Sequence, residues 1–400
     1  MTFDKDFVRR LLPHFTLLVF VAMTTVGAFT GGLWASLGIG FALLMFCTVW
    51  ALDRQMPVPE SHLFAFILVF LATCALLNFY SSQPQLSWPM LERLATIFLP
   101  LSLLTSVAIK KYAGSRKFFP VLACTASIGA LALGAELALH GPILNALHGT
   151  GDRLYEYNRG MSYLVVFAFP ILAALWFSRY RIFAIFFICA LLFPAGLTES
   201  RAAKLALVLA LVTVVAGMAL PAATRVALRM VPFAALGWPF AAQNLFLHHH
   251  EVIEHLPPSW QDRTEIWDYM SYRIFDRPLL GWGLGTSYTL PNAEPHGALY
   301  HYSHGPASHP HNAVLQLWVE LGIPGLVFGV VISILILEWI SRLRAEVVPF
   351  AQGAWVAAFC LMMISYNLWT DSLWACVAVT AFAFAVLSMQ IEQGGRVKIQ

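Results

Sequence analysis

One stretch concentrates the groups able to move a proton. It reads His309-Pro310-His311-Asn312-Ala313-Val314-Leu315-Gln316-Leu317-Trp318-Val319-Glu320-Leu321-Gly322, a polar lead-in to an apolar run. If that run is helical, His311 stands at its start. There the positive end of the helix dipole disfavours imidazolium and keeps a neutral ring that accepts a proton near neutral pH. Asn312, Gln316 and Glu320 fall four apart on one stripe. A carboxylate about two turns inside an apolar helix is costly unless paired, so polar groups must face that stripe. The plainer alternative is that His311 only caps the helix and the three polar residues lock it to a neighbour.

Basic residues supply a second chemistry. Arg201 follows Thr198-Glu199-Ser200, and Lys204 comes one turn later. Arg263 opens a segment in which Ile266, Trp267, Met270 and Ile274 recur at helical spacing beside Asp262, Glu265, Asp268 and Arg273. That pattern predicts a short amphipathic helix on a membrane surface. A planar guanidinium there suits a phosphate. Equally, Arg201 fits a snorkelling anchor and Arg263 a solvated helix residue. Arg153 and Arg159 lie in another loop, Gly141 to Gly160. Gly281, Gly283 and Gly285 form a Gly-x-Gly-x-Gly with no preceding strand and no acidic residue at the required distance, so a nucleotide site is not expected. His248-His249-His250-Glu251 and the His309/His311 pair resemble metal-ligand sets. No Asp-x-Asp accompanies them in an outer loop, and neither metal nor other cofactor is expected.

The elements that hold these groups follow from composition. Of 400 residues, 59% are hydrophobic and 11% charged, less than half the ~25% charge of soluble domains. Apolar runs long enough to cross a ~30 Å hydrocarbon layer recur along the chain. This predicts an all-α integral membrane protein of about twelve transmembrane helices with no nucleic-acid partner. Residues 1–247 hold nine spans with short loops, 248–310 form one large outer loop, and 311–400 hold three spans and a cytoplasmic tail. The fourth span, Leu94 to Ile109, contains Pro100; the ninth, Val226 to Leu247, contains Arg229, Pro232 and Pro239; the eleventh runs from Phe350 to Trp369. With the N-terminus inside, 16 of the 24 Lys and Arg residues are cytoplasmic, as the positive-inside rule asks. Both termini are then cytoplasmic, and the first span reads as an uncleaved helix. All six Cys fall in spans, so no disulfide framework is expected.

Three motifs in order carry a resemblance. They are Ser200-Arg201; Arg263-x-x-x-Trp267 followed by Arg277-Pro278-Leu279-Leu280-Gly281-Trp282-Gly283-Leu284-Gly285; and His311-Asn312-x-x-Leu315-Gln316-x-x-x-Glu320-x-Gly322. Together they resemble the O-antigen ligase and polymerase superfamily of membrane glycosyltransferases, over about 130 residues from Thr198 to Gly325. The resemblance implies a fold like the GT-C-type glycosyltransferases, in the bacterial inner membrane with the site facing the periplasm. It also implies an undecaprenyl-diphosphate-linked glycan as donor. The acceptor is a sugar hydroxyl of lipid A-core oligosaccharide in a ligase, and a second lipid-linked repeat in a polymerase.

A diphosphate already leaves well, so such a reaction needs its charge neutralised and the attacking hydroxyl activated. Arg201 and Arg263 are the expected diphosphate clamp and His311 the expected base, with inversion at the anomeric carbon. Arg153, Arg159, Lys204, His309 and Asn312 are the expected substrate contacts. The reading from another class is a transporter, in which Glu136, Arg201, Lys204, Glu320 and Asp371 line a solute path.

Overall fold

The computed structural model describes residues 4–112, 117–148, 154–178, 181–290 and 309–394, and every regular element among them is helical. The first half runs α1 (Lys5–Phe29), α2 (Leu33–Asp53), α3 (Ser61–Asn78), α4 (Pro84–Ser102), α5 (Val107–Tyr112), α6 (Phe118–Ala138), α7 (Pro142–His148) and α8 (Tyr157–Trp176). The second runs α9 (Ile182–Leu197), α10 (Arg201–Ala219), α11 (Pro221–Ala235), α12 (Trp238–His248), α13 (His250–Glu254), α14 (Pro258–Asp276), α15 (Ala313–Ser341), α16 (Val348–Ile364) and α17 (Asp371–Gly394). Among the described residues eight helical stretches, those of α1, α2, α3, α6, α8, α10, α15 and α17, are long and apolar enough to cross a membrane; α9 and α16 are shorter apolar helices. The expected fourth span divides between α4 and α5 at Ser106, whose backbone is extended. The expected ninth divides between α11 and α12.

Helix α8 is the centre of the bundle, buried on almost every side from Gly160 to Leu175. Lipid is as apolar as a leucine side chain, so helices in it associate by close packing rather than by escape from water. Phe20, Phe41, Phe167 and Phe382 supply that packing, joining α1, α2, α8 and α17 through ring pairs 5.6 to 5.9 Å apart. Most pairs are edge-on or tilted, as the ring quadrupole favours.

Helix α15 is broken inside. Gly322 has φ 64° and ψ −151°, and Pro324 follows it. Proline cannot donate to the Glu320 carbonyl, and the glycine breaks the next bond in the ladder. Within a membrane the freed groups need other partners, and residues 279–283 supply them. Trp282 N–H donates to Val319 O (2.8 Å), Gly283 N–H to Glu320 O (2.9 Å), and Ile323 N–H to Leu279 O (3.1 Å). The other side of this segment is held by the α3–α4 turn and α4. Ser82 donates from its backbone and its hydroxyl to Trp282 O, and Ser87 Oγ donates to Leu284 O, all at 2.8 Å. The Gly-x-Gly-x-Gly is therefore a backbone clamp on a broken helix.

Residues 258–276 do form the expected helix, but not a surface one. Every residue from Thr264 to Ser271 in α14 is buried, Glu265 and Asp268 included. The cause is its neighbours: α12 packs along it, and Trp238 meets Trp267 edge-on at 5.0 Å.

The clamp yields a prediction. Gly281 has φ 71°, and a Cβ there would lie 2.5 Å from the Glu320 carbonyl group. Gly281→Ala is expected to cost roughly 1–3 kcal/mol and to lower the thermal midpoint in detergent. Gly40→Ala, on an exposed helix position where a Cβ meets nothing, is expected to leave it unchanged or raise it. Equal midpoints for the two variants would show that the clamp is not tight.

Candidate functional site

The site is assembled at the start of α15. Asn312 is its N-cap, with extended φ/ψ, and its Oδ1 accepts from Leu315 N–H at 3.0 Å. Its Nδ2 donates to Met363 O at 3.0 Å, so both polar ends of this fully buried side chain are engaged. One residue earlier, His311 has φ 52°, the left-handed region that few non-glycine residues adopt. That turn aims the ring at the chain after α16, where Nδ1 lies 2.7 Å from Ser365 O. A carbonyl only accepts, so Nδ1 carries the proton and Nε2 is left with a lone pair. The His309 ring lies tilted against it, 3.8 Å between ring centroids, and its Nε2 lies 3.4 Å from the same carbonyl. Trp267 Nε1 donates to Pro310 O at 3.0 Å and pins the residue between them.

Below this turn the polar stripe finds its partners. Glu320, fully buried, accepts from Gly285 N–H (2.6 Å) and Trp369 Nε1 (2.6 Å) on Oε2, and from Gln316 Nε2 (3.2 Å) on Oε1. Gln316 also donates to Asn367 Oδ1 (2.9 Å) and accepts from Leu368 N–H (2.8 Å). The carboxylate thus joins α15 to both the glycine clamp and the α16–α17 connection.

Electrostatics favour the neutral rings. Burial lowers the His311 pKa to about 3, with the charges of His309 and Arg263 adding to the effect. Burial lowers His309 to about 4, with Arg263 and Arg159 acting in the same direction. Arg263 lies one helical turn before Trp267 and so shares the α14 face that meets the His309–His311 turn. Its guanidinium carbon is 5.8 Å from the Trp260 ring centre, and its enclosed Nε has no hydrogen-bond partner among the described residues. Burial lowers its pKa, opposed by Asp262, yet a guanidinium stays charged.

The other expected residues are spread around this centre. Arg159 is exposed at the start of α8, close enough to act on His309. Arg201 is exposed at the first turn of α10, after Ser200, whose hydroxyl caps the helix by accepting from Ala203 N–H. Thr198 Oγ1 donates to Asn158 Oδ1 at 2.7 Å, which ties the α9–α10 turn to the α8 start beside Arg159. Lys204 donates to Gly196 O at 3.1 Å. Arg153 lies outside the described residues. Among the described residues no group of three or more His, Cys, Asp or Glu is placed to hold a metal ion.

Ser365, Asn367 and Trp369 were not foreseen. The sequence reading carries the eleventh span on to Trp369, whereas α16 ends at Ile364 and residues 365–370 turn back to the site. The signal was present: Ser365, Asn367, Thr370 and Asp371 interrupt an otherwise apolar run.

Comparison with known proteins agrees with the motifs. Residues 184–330 match the model of the O-antigen ligase family, a span that contains Arg201, Arg263, His311 and Glu320. Proteins named "Putative polysaccharide ligase" in Rickettsia conorii and Rickettsia prowazekii are each 31% identical, over 115 and 117 residues, covering 28% of this chain and 28% of theirs. One of the same name in Rickettsia typhi is 23% identical over 239 residues, 58% of this chain and 59% of its own. The matched region is thus under two thirds of each relative's length.

The lowered histidine pKa values give a signed prediction. Below about pH 6.5 the unfolded rings take up protons that the folded rings refuse, so stability is full above pH 6.5 and falls as pH drops toward 4. The thermal midpoint should fall between pH 7.5 and pH 5, and the His309→Ala/His311→Ala double variant should lose less of it, by about a few degrees. Parallel curves would mean the rings are not held neutral by the fold.

Proposed function

We propose that this chain, whose residues 184–330 match the O-antigen ligase family, transfers a glycan from undecaprenyl diphosphate to a sugar hydroxyl of lipid A-core oligosaccharide. The reaction runs at the periplasmic face of the bacterial inner membrane, without metal and with inversion. The observation that carries this reading is the presence together of a neutral His311, whose Nε2 lone pair is unspent among the described residues, and Arg263, whose enclosed Nε has no partner among them. Together they offer one base for a hydroxyl and one fork for a phosphate.

In this reading the donor diphosphate enters between Arg263, Arg201 and Arg159. Its negative charge offsets Arg263, which adds to the effect of burial on His311, and the ring becomes a stronger base once donor is bound. The acceptor oxygen attacks the anomeric carbon as His311 Nε2 takes its proton. The bond to the diphosphate oxygen breaks on the opposite face, and the arginines stabilise the charge that gathers there. His309 shields the base from water. Asn312, with both ends engaged, acts by positioning rather than by touching substrate; Lys204 extends the cationic rim, and Arg153, outside the described residues, is a further substrate contact in this reading. Residues 248–310 form the outer loop over the donor, and residues 1–247 and 311–400 form the membrane scaffold. Counting the broken α4–α5 and α11–α12 as crossings makes twelve, in the manner of the GT-C-type enzymes.

The test is turnover by reconstituted protein in excess chelator, with purified donor and acceptor. His311→Ala is expected to lose at least ~100-fold in rate while keeping donor binding and thermal midpoint, His309→Ala less, and Arg263→Lys to be strongly impaired. Turnover of His311→Ala within a few-fold of the parent at equal folded protein removes the base. Activity restored only by a divalent ion removes the arginine mechanism. Products extended by repeats on the carrier lipid, with no lipid A-core acceptor used, would make the chain a polymerase.

A further inference from the structure

A cavity of about 340 Å³ lies between α3, α4, α11, α15, α16 and α17. Its wall is almost wholly apolar, with Phe66, Phe70, Phe98, Phe328, Trp339 and Phe382 among the largest groups. One end reaches Ala313 and Leu368, next to the His311 turn. The opposite end is polar, lined by Glu60, Thr105, Lys110 and Glu338, with exposed His62 and Arg342 at the mouth.

Charge at that polar end does not balance. Arg342 pairs with Glu60 at 3.7 Å, and Arg229 pairs with Glu338. Thr105 Oγ1 accepts from Glu60 N–H at 2.9 Å, fixing the start of α3 against the segment that leads to Lys110. Both carboxylates therefore have a guanidinium, and among the described residues lining this end one cation, Lys110, remains over. Its side chain is half-buried. A half-buried ammonium at the head of an apolar cavity is unfavourable without a counter-charge.

We infer that this cavity binds an anionic glycerophospholipid, with one acyl chain among the aromatic side chains and the phosphodiester against Lys110. A single negative charge matches the single excess cation. The polyisoprenoid carrier of the proposed reaction is a poorer occupant: its diphosphate belongs at the His311 end, so its tail would bring only hydrocarbon to Lys110. The lipid site thus stands independently of the proposed reaction. It lies at the opposite end of the same wall, where an occupied cavity would stiffen α15 and α16 beneath the His311 turn.

Native mass spectrometry of the delipidated full-length protein, incubated with vesicles of phosphatidylglycerol or of phosphatidylcholine, tests this. The parent should retain one phosphatidylglycerol with about tenfold preference over phosphatidylcholine, as a charge-assisted contact gives. Lys110→Gln should lose the preference, Lys110→Arg should keep it, and Ala378→Phe, which fills the cavity wall, should lose retention of both lipids. His311→Ala should retain phosphatidylglycerol like the parent, whatever it does to turnover. Equal retention of the two lipids by the parent would overturn the inference. So would preferential retention of a polyisoprenyl diphosphate that is lost in Arg263→Lys and kept in Lys110→Gln. Thermal midpoints of each variant separate loss of binding from loss of fold.

Discussion

A carboxylate set two turns inside a membrane helix must be met by donors, and at Glu320 those donors tie the helix itself to two other segments. Gln316 comes from the same helix, Gly285 N–H from the glycine clamp, and Trp369 Nε1 from the α16–α17 connection. An unsatisfied buried charge costs far more than an unmade neutral bond, so none of the three segments moves without strain at the other two. The break at Gly322 serves the same end. It frees the Val319 and Glu320 carbonyls, which then hold Trp282 and Gly283.

From that anchor the order of causes runs upward to the histidines. Trp369 and the Gln316 bonds to Asn367 and Leu368 hold the α16–α17 connection close to α15. The same connection presents Ser365 O, which selects the His311 tautomer. Asn312 fixes the start of the helix against Met363 O, and Trp267 fixes Pro310 from α14. Arg263 rides one turn from Trp267 on that helix, so the histidine turn and the cation are placed by one tryptophan. The ring is held neutral by burial and nearby positive charge; in the proposed reaction an incoming anion relieves that charge and so couples binding to base strength through electrostatics.

Much of this was legible in the residues. The period-four stripe of Asn312, Gln316 and Glu320 demanded polar partners, and it found them because a buried carboxylate leaves no alternative. The place of His311 at a helix start followed from the polar-to-apolar switch, and the family resemblance followed from three short motifs. Less legible was anything set by distant segments. Burial of α14 depends on α12 lying against it, which no local periodicity encodes. The early end of α16 was hidden because Tyr366, Leu368 and Trp369 kept the run apolar while Ser365 and Asn367 left the helix to bond elsewhere. The contact of the glycines, a carbonyl freed by Gly322 and Pro324, is visible only once both segments are placed.

The central claim is that Glu320 holds the clamp and the histidine turn as one unit. Hydrogen–deuterium exchange on Glu320→Ala tests it most directly, read at residues 282–286, 311–316 and 365–369 against α1 and α2 as an internal reference. The account predicts that protection falls together in all three segments and stays unchanged in α1 and α2. Loss confined to 282–286, with 311–316 and 365–369 as protected as in the parent, would contradict it.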